Sequence, residues 1–192
     1  MRKLIISEFI TLDGVIQAPG GADEDRDGGF AHGGWTQPYW HDDIGAAFVA
    51  QLKDVDAFLL GRRTYVGHAD AFEPMPAGDP FGDVINAPAK YVVSKTLENP
   101  RWRNTTVIRD NVVEAVRALK AKPGKTIMTD GSSQLVPVLL ANDLVDELHL
   151  LLFPIAVGGG KRLFPADKFT GFTLVETKTY PTGVVALHYK RK

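Results

Sequence analysis

The 192 residues carry 44% hydrophobic and 23% charged side chains, which suits one soluble domain with a full core and excludes a disordered chain. Twenty-two basic residues against 23 acidic ones leave a net charge of −1, so bulk charge draws the chain neither to nucleic acid nor to an anionic membrane. With no cysteine, disulfides, thiolate metal sites and cysteine nucleophiles are all excluded.

In chain order, "MRKLIISEFI" places basic residues before apolar ones, but Glu8 interrupts the run and no small-residue cleavage site follows, so Lys3 to Ile10 predicts a first strand and not a signal peptide. Asp42 and Asp43 can cap a helix whose apolar face is Ile44, Phe48 and Leu52. Val55 to Leu60 is a short buried strand, and "AKYVVSKT" and "NTTVIR" supply two more. A helix follows from Asn111 to Ala121, with Asn111 and Glu114 at capping-box spacing. "GKTIMT" is a strand and "SSQLVPVLLAND" a helix in whose first turn Pro137 is tolerated. "VDELHLLLFP" is a long strand, and "FTLVETKTY" and "VVALHYKRK" form a hairpin around "PTG". Strands alternating with about four helices and closed by a hairpin predict an α/β domain spanning residues 1–192, its sheet mostly parallel with an antiparallel edge. The longest apolar stretch, Leu150 to Val157, contains Pro154 and is too short to span a bilayer, so a cytoplasmic protein is expected.

Two segments, Val15 to Trp40 and Glu73 to Pro88, predict irregular loops. The first carries Phe30, Trp35, Tyr39 and Trp40, which favour a lid over a tether. Its "DEDRDG" sets Asp23, Asp25 and Asp27 before Gly28, like the start of a calcium loop, but Gly34 stands where the bidentate glutamate belongs, leaving a solvated acidic loop. "TLDGV" puts Asp13 and Gly14 at a hairpin turn, with a carboxylate at the mouth of the first strand as the functional alternative. "GGGK" at Gly158 to Lys161 reads as a turn. The five histidines show no ligand spacing, so no metal site is expected.

Binding chemistry gathers at three strand ends. In "LLGRRTY" and "IMTDGSSQL" a strand runs into glycine and then into hydroxyl residues at a helix start, and "YVVSKTL" ends another strand on hydroxyl and cation together. Singly, each reads as an ordinary turn. Together they place three anion-compatible ends where ligands of open α/β sheets collect. A diphosphate would satisfy the free amides, and a further phosphate would want a planar cation such as Arg62 or Arg63. No G-x-G-x-x-G follows the first strand and no P-loop is present.

The order of "TLDG", "LLGRRTY", "YVVSKTL", "DGSSQLVPVLLANDLVDELHLLLFPIAVGGGKRLF" and the closing hairpin resembles the dihydrofolate reductase superfold. More narrowly, it is similar to stand-alone relatives of the C-terminal reductase domain of the riboflavin-biosynthesis deaminase-reductase. The resemblance implies a three-layer fold and an NADPH-dependent reductase of a small, heterocyclic substrate, usually a homodimer, with neither nucleic acid nor membrane as partner. By position it implies cofactor contacts at Gly61, Arg62, Arg63 and Thr64, at Ser94, Lys95 and Thr96, and at Asp130, Gly131, Ser132 and Ser133. Candidate proton donors are Asp43 and Asp13, with helix capping the competing role for Asp43. The riboflavin reductases carry a glutamate where this chain has Thr129 and an aspartate where it has His68. That leaves open a second reading, a non-catalytic module that keeps the NADP crevice without a substrate site.

Overall fold

Strands apolar on both faces need cover on two sides, and that requirement sets the architecture. The computed structural model describes residues 1–164 and 169–192. Its strands are β1 (Leu4–Thr11), β2 (Val55–Gly61), β3 (Ala89–Val93), β4 (Thr105–Ile108), β5 (Thr126–Thr129), β6 (Glu147–Phe153), β7 (Phe172–Thr179) and β8 (Val185–Arg191). They form one eight-stranded sheet in the order β4-β3-β2-β5-β1-β6-β8-β7. All pairings from β4 to β6 are parallel, and β8 runs antiparallel to both β6 and β7.

The helices are α1 (Asp42–Leu52), α2 (Arg62–Phe72), α3 (Pro80–Asn86), α4 (Val112–Ala121) and α5 (Leu135–Ala141). Successive strand residues point to opposite faces. Ile5, Phe58, Leu60 and Met128 therefore pack in one core with residues of α1, α2 and α3, while Leu4, Ile6, Leu59 and Ile127 pack in another with α4 and α5. The result is the expected three-layer α/β arrangement with an antiparallel C-terminal hairpin. Among the described residues no helix is long and apolar enough to cross a membrane.

Several local expectations are corrected. The Glu73–Pro88 segment is not all loop: Asp79 caps α3 by accepting from the Phe81 and Gly82 amides at 3.0 and 2.6 Å, with Pro80 in the first turn. At α1 the cap is His41, whose Nδ1 accepts from the Asp43 amide, and Asp42 and Asp43 lie in the first turn, where the helix dipole favours acids. Asn111 makes no side-chain cap on α4 because it sits in the left-handed region (φ 50°), which asparagine tolerates. The apolar run Leu148–Phe153 lies inside the sheet between β1 and β8.

The Val15–Trp40 segment is pinned by its aromatics. Phe30 and Trp35 are buried in a small third core with Phe153, and the Trp35 indole donates to the Gln17 carbonyl at 2.8 Å. Its acids are not free in solvent either. Asp25 and Asp27 face the Lys161 ammonium at 2.7 and 2.9 Å and the Arg63 guanidinium at 3.4 and 3.0 Å, so the loop is clasped from both sides.

Lys90 is fully buried beneath Trp102, its ammonium 4.5 Å from the ring centroid and bonded to the Asn86 carbonyl. Burial pushes its pKa down to about 8 from 10.5. Between those values the unfolded chain binds the extra proton, so stability rises with pH across that window. Urea unfolding at the two ends of the window is expected to show this rise in the native protein and to lose it in Lys90→Met.

Candidate active site

Strand lengths create the cleft. β5 ends at Thr129, level with Ile6 of β1, whereas β1 continues to Thr11 paired only with β6. On the other side β5 pairs with β2 no further than Phe58, yet β2 runs on to Gly61. The C-terminal halves of β1 and β2 therefore flank a gap at the head of β5, where the chain order doubles back and ligands of open α/β sheets settle. The cavity there measures about 1130 Å³.

Every residue of the three predicted strand-end clusters lines this one cleft: Gly61, Arg62, Arg63 and Thr64; Ser94, Lys95 and Thr96; Asp130, Gly131, Ser132 and Ser133. Two reciprocal hydrogen bonds join the first and third clusters. The Gly61 amide donates to Ser132 Oγ at 2.9 Å, and the Ser132 amide donates to Thr64 Oγ1 at 2.8 Å. Gly131 and Ser132 are both left-handed, at φ 51° and 50°. The turn therefore lies flat against α2, and a Cβ on Gly131 would meet Thr64 Oγ1 at 3.0 Å. Gly131→Ala is expected to lower unfolding stability by about 1–3 kcal/mol, the range for a strained backbone site, with denaturant titration as the check.

α2 begins at this turn with Gly61 as its cap and no side chain on its first amides, which leaves donors facing the cleft. In the second cluster Ser94 Oγ accepts from the Thr96 and Leu97 amides at 3.2 and 3.0 Å, fixing the bend that presents Lys95. Arg62 is exposed at the rim and pairs with no carboxylate among the described residues, unlike Arg63. The far end of the cleft is apolar, lined by Phe9, Trp40 and Phe48, with the Phe9 and Trp40 rings 6.0 Å apart.

The two predicted proton donors are not brought into the cleft. Asp43 stays exposed in the first turn of α1. Asp13 receives the Thr11 hydroxyl at 2.6 Å and the Gly158 amide at 2.8 Å, and these bonds, the Thr11 one foremost, hold its carboxyl below the usual aspartate range. Its task is to tie the "TLDG" turn to the glycine turn after β6, because a carboxylate so held is a poor acid.

Instead the cleft contains Glu8. It projects from β1 beyond the end of β5 and is only 4% exposed, with Oε1 unpartnered. Burial first, and then the neighbouring Asp130 charge, push its pKa well above the carboxylate norm, against a hydrogen bond from the Gly131 amide. The sequence signal for it was an acid interrupting an apolar strand. In the same cleft His68 Nε2 lies 3.0 Å from Asp130 Oδ2. Burial is the largest single influence and disfavours the imidazolium, but the Asp130 charge and the hydrogen bond to Asp130 together overcome it and raise the pKa. Asp130 Oδ1 and Thr129 Oγ1, at the end of β5, are, like Glu8 Oε1, buried and without a hydrogen-bond partner among the described residues.

The RibD C-terminal domain family matches residues 2–186. The chain belongs to that family. The uncharacterized protein YyaP of Bacillus subtilis (strain 168) is 29% identical over 192 residues, covering 98% of this chain and 94% of that protein. In fold the chain is similar to a putative riboflavin biosynthesis protein from Shewanella sp. PV-4, with TM-score 0.75 at 20% identity and 99% of both chains covered. It is also similar to the Enterococcus faecalis dihydrofolate reductase solved with NADP(H), with TM-score 0.64 at 16% identity, covering 99% of this chain and 96% of that one. The dihydrofolate reductase-like fold is thereby shown.

Proposed function

We propose that this protein is an NADPH-dependent reductase of a small heterocyclic substrate bearing a C=N or C=O bond. One observation carries the reading: a cleft that joins an anion-compatible rim at residues 61–64, 94–96 and 131–133 to a buried carboxyl whose pKa is pushed up, Glu8, beside an apolar wall. Family membership and the fold shared with an NADP(H)-complexed reductase add support.

The residues present fit the cofactor. The free amides of α2 and the flat Gly131–Ser132 turn suit a diphosphate. Arg62, with no competing carboxylate among the described residues, suits the 2′-phosphate. Arg63 reaches an anion only by leaving Asp25 and Asp27, which gives it the task of holding the acidic loop against the cleft. When bound, NADPH supplies the hydride. The chain's own work is to orient a planar substrate against Trp40 and Phe48, to exclude water there, and to deliver the Glu8 proton to the atom adjoining the reduced carbon. His68, paired with Asp130 in the same cleft and with its pKa raised, is a second group able to hold a proton there. A module that merely held the nucleotide would have no use for a protonated, buried acid at the cleft floor.

The homodimer belongs to this proposal too. Leu174 and Val175, about half exposed on the edge strand β7, offer it an apolar surface. NADPH oxidation assayed against imines, pteridines and flavins tests the reading. Turnover on at least one class is expected, and tight NADPH binding with turnover on none would overturn it in favour of the module.

A further inference from the structure

On β6, Glu147 and His149 are two residues apart and so share a face, and the antiparallel register sets His188 of β8 directly opposite His149. No local spacing announces this trio, because the third member arrives across the sheet. The imidazoles lie 4.2 Å apart by centroid, and their Nε2 atoms approach the same carboxylate oxygen, Glu147 Oε2, at 3.3 and 3.1 Å. Glu147 is almost wholly buried, while both histidines are partly open to a groove of about 470 Å³ between α1 and the β7–β8 hairpin. This groove is a second cavity that touches the wall of the active-site cleft at Ser7 and Phe48.

We propose that Glu147, His149 and His188 bind a divalent transition-metal ion of the zinc class. Two ligands about 2.0–2.1 Å from a tetrahedral ion lie roughly 3.3 Å from each other, and the nitrogen-to-oxygen separations here already match that edge. Imidazole nitrogen with one carboxylate oxygen is a donor set for zinc, cobalt and nickel rather than for magnesium or calcium. The groove supplies the open fourth position. Outer groups are in place: the Gln51 amide meets His149 Nδ1 at 3.2 Å, and the Lys3 ammonium holds the other carboxylate oxygen at 2.8 Å. With the ion bound, His149 Nδ1 carries the proton and donates to Gln51 Oε1, an amide rotation that leaves the Gln51 nitrogen toward Ser7 Oγ.

The test is zinc titration by calorimetry of the full, tag-free chain after chelator treatment, repeated with cobalt to read the visible band of low-coordinate Co²⁺. One saturable zinc per chain is expected. His149→Ala and His188→Ala should each weaken binding more than about 100-fold, beyond the 10–100-fold that losing an outer group such as Gln51 costs. His32→Ala with His41→Ala, remote from the trio, should change nothing, and NADPH affinity should persist in all variants. Absence of saturable zinc binding overturns the proposal, as does binding that survives loss of both His149 and His188. Both histidine positions face the groove and not the core, so folded variants are expected, with circular dichroism as the check.

Discussion

Glu8→Gln is expected to lower kcat by about 10²–10⁴-fold, the range for losing a positioned general acid, while NADPH binds as before. Glutamine keeps the shape and loses the proton. Because burial and the Asp130 charge raise the Glu8 pKa, the donor form persists on the acid side, and activity falls as pH rises through that raised value. The glutamine variant should lack this limb. Stability carries the same signature. Above the ordinary carboxylate pKa of 4.5 the folded chain keeps a proton that the unfolded chain has lost, so Glu8 contributes stability that fades as pH climbs through the folded pKa. Glu8→Gln should flatten that decline and exceed the native protein in stability at alkaline pH, which urea unfolding across pH would read. A variant with native kcat and an unaltered pH profile would remove Glu8 from the chemistry.

Arg62→Ala is expected to weaken NADPH by about 1.5–3 kcal/mol, the usual worth of a hydrogen bond to a charged group, or roughly 10–150-fold in Kd. NADH, lacking the 2′-phosphate, should change little. Arg63→Ala is expected to behave differently. It releases Asp25 and Asp27 on the guanidinium side, leaving Lys161 as the cation paired with them, and should affect both cofactors alike. Fluorescence titration of the two cofactors against each variant separates the roles. An equal loss of NADPH and NADH in Arg62→Ala would reject the 2′-phosphate assignment.

Strand identity was legible because β-branched and leucine runs alternate with helical spacing, and the rim was legible because glycine followed by hydroxyl residues marks a strand-to-helix turn. What sequence could not supply was register. Glu8 becomes a cleft residue only because β5 stops level with Ile6, and nothing in "TIMTDG" fixes that level. Asp13 reads as a candidate acid at the mouth of β1, but its carboxylate accepts from the amides of Val157 and Gly158, residues far along the chain. Arg63 and Arg62 are adjacent in sequence, but one meets Asp25 and Asp27 from a distant loop and the other does not. His149 and His188 meet through cross-strand pairing, invisible to any motif spacing. α3 was hidden for a different reason: prolines and glycines around it read as breakers, although Asp79 before Pro80 is itself a helix-start signal.

A crystal structure of the protein with NADPH tests the central claim most directly. The diphosphate should lie against the amides of residues 61–64 and 131–133, the 2′-phosphate within reach of Arg62, and the nicotinamide toward Glu8 and Trp40. A dinucleotide seated on another surface, or a cleft that stays empty at saturating NADPH, would contradict it.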